Sequence, residues 1–128
     1  MTEVAPIQGE LQAQVMAALW RRGAGTVEQV RSELPSRYRG AYNTVQTILN
    51  RLVDRELVRR ARVGRGFEYR PAISEVDYLA GTIQRTLAGA SSQARQAAIA
   101  SIIGAMDPNE LSELRELASR ANTTRTAR

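Results

Sequence analysis

Hydrophobic residues in the first half of the chain recur every three or four positions, which is the spacing of one face of an α-helix. This pattern predicts helices over residues 9–22, 27–34 and 41–55. Gly23 and Pro35 follow the first two and supply stop signals. The third helix carries the most regular apolar stripe, formed by Val45, Ile48, Leu49, Leu52 and Val53.

After the third helix the spacing changes from a helical period to alternation. The runs "LVRRARV" and "FEYRPAI" predict two strands of a β-hairpin around the turn "GRG" at residues 64–66. With that turn, Ala61, Val63, Phe67 and Tyr69 are expected on one face, and Arg60, Arg62, Glu68 and Arg70 on the other. Three helices followed by a hairpin predict a winged helix-turn-helix domain over residues 1–72.

The second half of the chain predicts three more helices, which makes the expected fold mostly α with a small β-hairpin wing. About 50 residues with few aromatic side chains form a thin core on their own. We therefore expect residues 73–121 to be a helical dimerisation domain of a symmetric homodimer, rather than helices folded back on the winged domain. Residues 122–128 are expected to be a flexible tail. The apolar residues expected at the dimer interface are Val76, Leu79, Ile83, Leu87, Ile99, Ile102, Ile103, Met106, Leu111, Leu114 and Leu117.

The residue types that are absent restrict the chemistry. The 128 residues include no cysteine, histidine or lysine, so disulfides, thiolate or imidazole metal sites and Schiff-base lysines are excluded. We expect no cofactor and no enzymatic activity. The sequence also has no apolar run near the roughly 18 residues of a membrane span, and no secretory signal, which predicts a cytoplasmic protein without a membrane partner.

The positive charge is concentrated in the first part of the chain. Residues 1–72 contain 12 arginines and 7 acidic residues, a net charge of +5, whereas residues 73–128 contain 6 of each. Codon bias can explain why arginine replaces lysine, but it does not explain this distribution. The asymmetry predicts that only the first part meets a polyanion.

The third helix has a polar face without acidic residues between Gly40 and Val53. Asparagine and glutamine can pair with adenine in the major groove, and a threonine methyl can contact thymine, whereas flanking arginines suit phosphate. The face could instead be solvated, in a winged domain that serves protein interaction or dimerisation without DNA. The residues predicted to contact double-stranded DNA are Arg39, Tyr42, Asn43, Thr44, Gln46, Thr47, Arg51, Arg60, Arg62 and Arg65, with Asn50 also expected to be exposed.

Three segments, "GELQAQVMAALWRRGAGTVEQVRSEL", "AYNTVQTILNRLVDRELVRR" and "GRGFEYRP", resemble the penicillinase-repressor (BlaI/MecI/CopY) family. The resemblance implies a homodimeric transcriptional repressor that binds a palindromic operator, with base-reading positions at Asn43, Thr44, Gln46 and Thr47. The cysteine pairs of the copper-responsive branch are missing here. An inactivating protease is a further partner that the resemblance implies, although the Asn-Phe bond cleaved in staphylococcal members does not occur in this chain.

Overall fold

The structure of the chain, a computed structural model, describes the backbone of residues 7–126 and the side chains of residues 7–122. This part of the chain contains six α-helices and one antiparallel hairpin, which confirms the predicted mostly helical fold with a wing. The elements are α1 (Gly9–Arg22), α2 (Val27–Glu33), a short 3-10 turn (Ser36–Tyr38), α3 (Tyr42–Asp54), β1 (Val58–Val63), β2 (Gly66–Pro71), α4 (Glu75–Ala88), α5 (Ser92–Gly104) and α6 (Pro108–Thr126).

The chain divides into two compact units, Met1–Gln84 and Arg85–Arg128. The first unit has a hydrophobic core to which α1, α2, α3 and both strands contribute, since each carries apolar residues on the face that packs inward. Its buried apolar side chains are Val15, Met16, Ala18, Leu19, Val27, Val30, Leu34, Val45, Ile48, Leu49, Leu52, Leu57, Val58 and Tyr69. This core holds α3 and the hairpin in fixed positions.

The predicted distribution of side chains over the two faces of the hairpin is wrong. Val63 pairs with Gly66, so the turn contains two residues rather than three, and the register shifts by one. Arg60 therefore lies opposite Tyr69, and Arg62 opposite Phe67. Because directly opposed residues of an antiparallel pair point to the same face, these two arginines share a face with the aromatic rings instead of opposing it.

The two-residue turn depends on Gly64, whose φ is +61°. Arg65 follows it with a negative φ, because Glu56 is the one non-glycine residue in the described chain with a positive value. A positive φ at the first central position alone is the pattern of a type II′ turn, which matches the twist of the flanking strands and favours glycine there. The turn places Arg65 at the tip of the hairpin.

The middle of β2 is attached to the connection between α1 and α2. The amide of Gly25 donates to the carbonyl of Tyr69 at 2.9 Å, and the amide of Tyr69 donates back at 2.8 Å. A side chain at Gly25 would meet Cδ of Arg22 at 3.0 Å and Cγ2 of Val30 at 3.3 Å. The backbones of residues 25 and 69 thus approach each other closely at a position that suits glycine. Their two hydrogen bonds add one antiparallel bridge to the hairpin.

The first turns of α4 pack on the winged domain. Trp20 Nε1 donates to the carbonyl of Ile73 at 3.0 Å, and the rings of Trp20 and Tyr78 lie 5.7 Å apart. The Tyr78 hydroxyl also accepts from the amide of Ile7 at 2.8 Å. The first compact unit therefore extends past residue 72, the end expected for the winged domain, and reaches Gln84.

The second unit consists of the end of α4 followed by α5 and α6. Ser91 caps α5 by accepting from the amide of Ala94 at 3.1 Å, and Asp107 caps α6 by accepting from the amide of Glu110 at 2.8 Å. None of the side chains described for residues 85–122 is buried. Of the tail predicted at 122–128, the backbone is helical as far as Thr126, and residues 127–128 lie outside the described part.

Candidate nucleic-acid interface

The polar face of α3 is open to solvent. Asn43, Thr44 and Thr47 are exposed and Gln46 is half-buried, while Tyr42 at the start of the helix is 47% exposed. The apolar residues of the same helix face the core, as the stripe predicted. The third helix thus presents a row of uncharged hydrogen-bonding side chains, and its sequence contains no acidic residue before Asp54.

The exposed side chains of α3 differ in which hydrogen-bonding groups remain available to a ligand. The hydroxyl of Thr47 donates to the carbonyl of Asn43 at 2.9 Å, so its proton is already engaged within the helix. The methyl group of Thr47 remains as its apolar contact surface. No side chain caps the start of α3 at Ala41. The amide of Thr44 donates to the carbonyl of Ala41 at 3.1 Å, so the amides of Tyr42 and Asn43 are the first-turn donors that can meet an anion.

Asn50, expected on the exposed face of α3, is half-buried. Its Oδ1 accepts from Arg60 Nη1 at 2.8 Å and from the Tyr69 hydroxyl at 3.0 Å. This side chain therefore bridges the helix and the hairpin. The expectation that Asn50 is simply an exposed polar residue is wrong, because both contacts arise from the tertiary position of the hairpin.

Several arginines of the first unit hold the fold together. Arg31 Nε donates to the carbonyl of Gly40 at 2.7 Å. Arg39 Nη2 donates to the carbonyls of Ser32 at 3.3 Å and Leu34 at 3.0 Å, at the end of α2. The guanidinium of Arg39, which the sequence assigned to DNA, thus stabilises the connection between α2 and α3.

A second group of arginines has no carboxylate partner in the described part of the chain. Arg51 on α3 and Arg65 at the hairpin tip are exposed, and their side chains make no hydrogen bond or ion pair there. Arg62 is exposed, with its guanidinium carbon 5.8 Å from the centre of the Phe67 ring. These side chains keep their charge uncompensated, as phosphate contacts require.

A cleft of about 400 Å³ separates the start of α3 from the hairpin. Tyr42, Gln46, Val63, Arg65 and Phe67 are among its lining residues. Val63 is 55% exposed there. The cleft brings the polar face of α3, the hairpin tip and exposed apolar surface together on one side of the first unit.

Most of the residues expected at a dimer interface are also exposed to solvent. Val76 is 73% exposed on α4, Ile102 is 58% exposed on α5, and Leu117 is 58% exposed on α6. Leu79, Ile83, Ile99, Ile103 and Leu114 are exposed as well, whereas Leu87, Met106 and Leu111 are half-buried. Large exposed apolar residues therefore recur on each of α4, α5 and α6.

Two other kinds of feature are missing from the residues that the structure describes. No group of three or more acidic side chains is arranged to hold a metal ion. No described helix combines the length and apolar character that crossing a membrane requires.

Comparison with known proteins places this geometry in a family. The sequence model of the penicillinase repressor family matches residues 8–120. The transcriptional regulator BlaI of Mycobacterium tuberculosis is 37% identical over 109 residues, covering 84% of this chain and 79% of its own. The penicillinase repressor of Bacillus licheniformis is 30% identical over 74 residues, 58% of either chain. The solution structure of the DNA-binding domain of the repressor BlaI covers 61% of this chain and 94% of its own, with 29% identity and a TM-score of 0.51. The chain therefore belongs to the penicillinase repressor family.

Proposed function

We propose that the chain is a sequence-specific DNA-binding transcriptional repressor that acts as a homodimer on a palindromic operator. The observation that carries the proposal is the acid-free polar face of α3, flanked by the unpaired arginines Arg51, Arg62 and Arg65. Such an arrangement is unfavourable alone because like charges repel, and DNA phosphates compensate it. The family membership of the chain agrees with this function.

In this proposal α3 enters the major groove. Asn43, Thr44 and Gln46 contact base edges through their polar groups, and Thr47 contacts a thymine methyl because its hydroxyl is engaged. Tyr42 lies beside the neighbouring backbone. These contacts supply sequence specificity.

The arginines supply affinity by contacting phosphates. Arg51 lies on α3, and Arg60, Arg62 and Arg65 lie on the hairpin, with Arg65 in its turn. Arg39 contributes through the backbone it holds, since its Nη2 already binds two carbonyls. These contacts fix the register of the protein on the duplex.

The absence of buried side chains in the described part of the second unit supports the homodimer. Residues 85–122 include no buried side chain, so this segment lacks the apolar burial that an independent fold needs. A second copy can cover the exposed apolar residues of α4, α5 and α6 in a two-fold symmetric interface. Two winged domains related by such an axis recognise a site with two symmetric halves.

The inactivating protease that the resemblance implies stays a prediction. The chain lacks the Asn-Phe dipeptide, so incubation of the DNA-bound protein with a cell extract, followed by mass spectrometry of the fragments, identifies whatever bond is cut. One discrete cut with loss of DNA binding supports release by proteolysis. An intact chain in induced cells contradicts it.

A gel-shift experiment with fragments of the source genome at physiological salt tests the proposed function. The wild-type protein is expected to retard a minority of fragments at nanomolar dimer and the remainder at micromolar dimer, because specific binding exceeds non-specific binding by about a thousandfold or more. No retardation at micromolar dimer contradicts DNA binding and favours a protein-interaction module.

A further inference from the structure

The end of α3 and the middle of the hairpin are connected through a single side-chain oxygen. Asn50 Oδ1 accepts two hydrogen bonds, from Arg60 Nη1 at 2.8 Å and from the Tyr69 hydroxyl at 3.0 Å. An amide oxygen has two lone pairs, so these donors use its accepting capacity fully. Asparagine is a poor helix former, and these two contacts explain why it stands in the last turns of α3.

The register of the hairpin brings both donors to the same place. Arg60 and Tyr69 are directly opposed across β1 and β2, so their side chains leave the same face toward α3. Tyr69 is buried, and its backbone pairs with Gly25. One of the two donors is thus fixed by the core, which gives Asn50 a rigid position.

Arg60 is held from a second direction as well. Its guanidinium carbon lies 4.6 Å from the centre of the Phe67 ring, which is cation–π distance. The hydrogen bond to Asn50 and the contact with the Phe67 ring together reduce the number of rotamers that the Arg60 side chain can adopt. The partner at Asn50 is neutral, so the full positive charge of Arg60 persists, whereas a carboxylate at this position would compensate it.

We propose that Asn50 is a positioning residue for DNA binding, which holds the Arg60 guanidinium beside α3 so that its remaining N–H groups meet a backbone phosphate next to the major groove. The inference rests on the proposed function. Because the conformational freedom of Arg60 is already lost in the unbound protein, less entropy is lost when the phosphate binds. Asn50 itself acts through Arg60.

A double-mutant cycle on DNA binding tests the proposal. Asn50→Ala is expected to weaken binding about fivefold in the wild-type background, within the usual range of coupled neighbours. In the Arg60→Ala background the same change is expected to weaken binding less than about twofold, because the group it positions is gone. Equal losses in the two backgrounds would refute the positioning role.

Asn50→Asp provides a second variant that retains both acceptor contacts. It is expected to melt within about 2 °C of the wild type, yet to bind DNA more weakly than Asn50→Ala and with a salt slope about 0.9 flatter than wild type, because one phosphate contact is lost. Wild-type affinity of this variant would contradict the inference, since a purely structural role requires only the hydrogen bonds.

Tyr69→Phe is the matched control. It removes the other donor to Asn50 Oδ1 and leaves the Arg60 contact in place. A lower melting temperature with DNA affinity within about twofold of wild type is expected. A loss as large as that of Asn50→Ala would show that the oxygen acts only through stability. Failure of the wild-type protein itself to bind any duplex would instead refute the proposed function, and this inference with it.

Discussion

The amide of Leu57 donates to the carbonyl of Leu52 at 3.0 Å, which closes the last turn of α3 onto the start of β1. The amide of Glu56 donates to the carbonyl of Val53 at 2.9 Å within the same turn. These two bonds form a Schellman motif, and its left-handed position is occupied by Glu56, with φ of +64°. The motif sets the direction in which the hairpin leaves α3.

Replacing Glu56 with glycine is expected to stabilise the first unit by about 0.5–1 kcal/mol. A side chain in the left-handed region costs about 1–2 kcal/mol, which exceeds the roughly 0.5–1 kcal/mol of extra chain entropy that glycine loses on folding. Urea unfolding measures the difference. Glu56→Ala serves as the control, because it removes the carboxylate and keeps the strain. An equal gain for both variants would assign the effect to charge instead.

Replacing Arg65 with alanine is expected to weaken binding to all duplexes alike. The side chain lies at the hairpin tip without a carboxylate partner in the described chain, so its loss removes one phosphate contact and flattens the slope of log K against log[salt] by about 0.9. Fluorescence anisotropy over a salt series measures this. Arg95→Ala removes the same charge from α5 and is expected to leave the slope unchanged; equal slopes for the two variants would contradict a wing contact.

Replacing Gln46 with alanine is expected to weaken binding to the operator and to leave binding to other sequences nearly unchanged. Binding to the true operator should weaken by about 1–3 kcal/mol, while binding to random duplex stays within about twofold of wild type, because a base-edge contact exists only at the operator. Parallel anisotropy titrations on the two duplexes measure the ratio. If Gln46→Ala lost affinity equally on both, α3 would not be the base-reading element.

Replacing Ile102 with aspartate is expected to raise the dimer dissociation constant at least about tenfold. The side chain is 58% exposed in the single chain, and a carboxylate there would be buried without a partner in the proposed dimer. Sedimentation velocity over a concentration series measures the constant. Ser101→Asp introduces the same charge at the neighbouring exposed position and is expected to leave association within about twofold; a monomeric wild type would contradict the dimer.

The helices were predictable from the sequence because the apolar periodicity and the capping and stop residues give the same helix ends within a few residues. The apolar spacing of Val45, Leu49 and Leu52 fixes the buried face of α3. The sequence "DPNE" at residues 107–110 combines an N-cap aspartate with a proline at the first helical position, which is typical of a helix start, and α6 begins there. Local signals of this kind act within one or two turns. They required no knowledge of the tertiary fold.

The features that failed depend on contacts between distant parts of the chain. The face on which each hairpin side chain lies depends on whether Gly66 belongs to the turn or to β2. A shift of one residue moves every side chain of β2 to the opposite face relative to β1. The burial of Asn50 depends on Arg60 and Tyr69, whose donor groups folding brings close. Residue type alone placed Asn50 on the exposed polar face, and no signal in the local sequence distinguishes it from Asn43. The hydrogen bonds of Arg39 to two carbonyls also arise only on folding, and its contact with DNA stays a prediction.

Selection from a pool of random-sequence duplexes by the purified wild-type protein tests whether the chain is a dimeric operator-binding repressor. Such a protein is expected to enrich a sequence with two symmetric half-sites whose centres lie about one helical turn, or a multiple of it, apart, and to bind it with an affinity that falls steeply as salt increases. A protein that stays monomeric and enriches no sequence, even at low ionic strength, would contradict it.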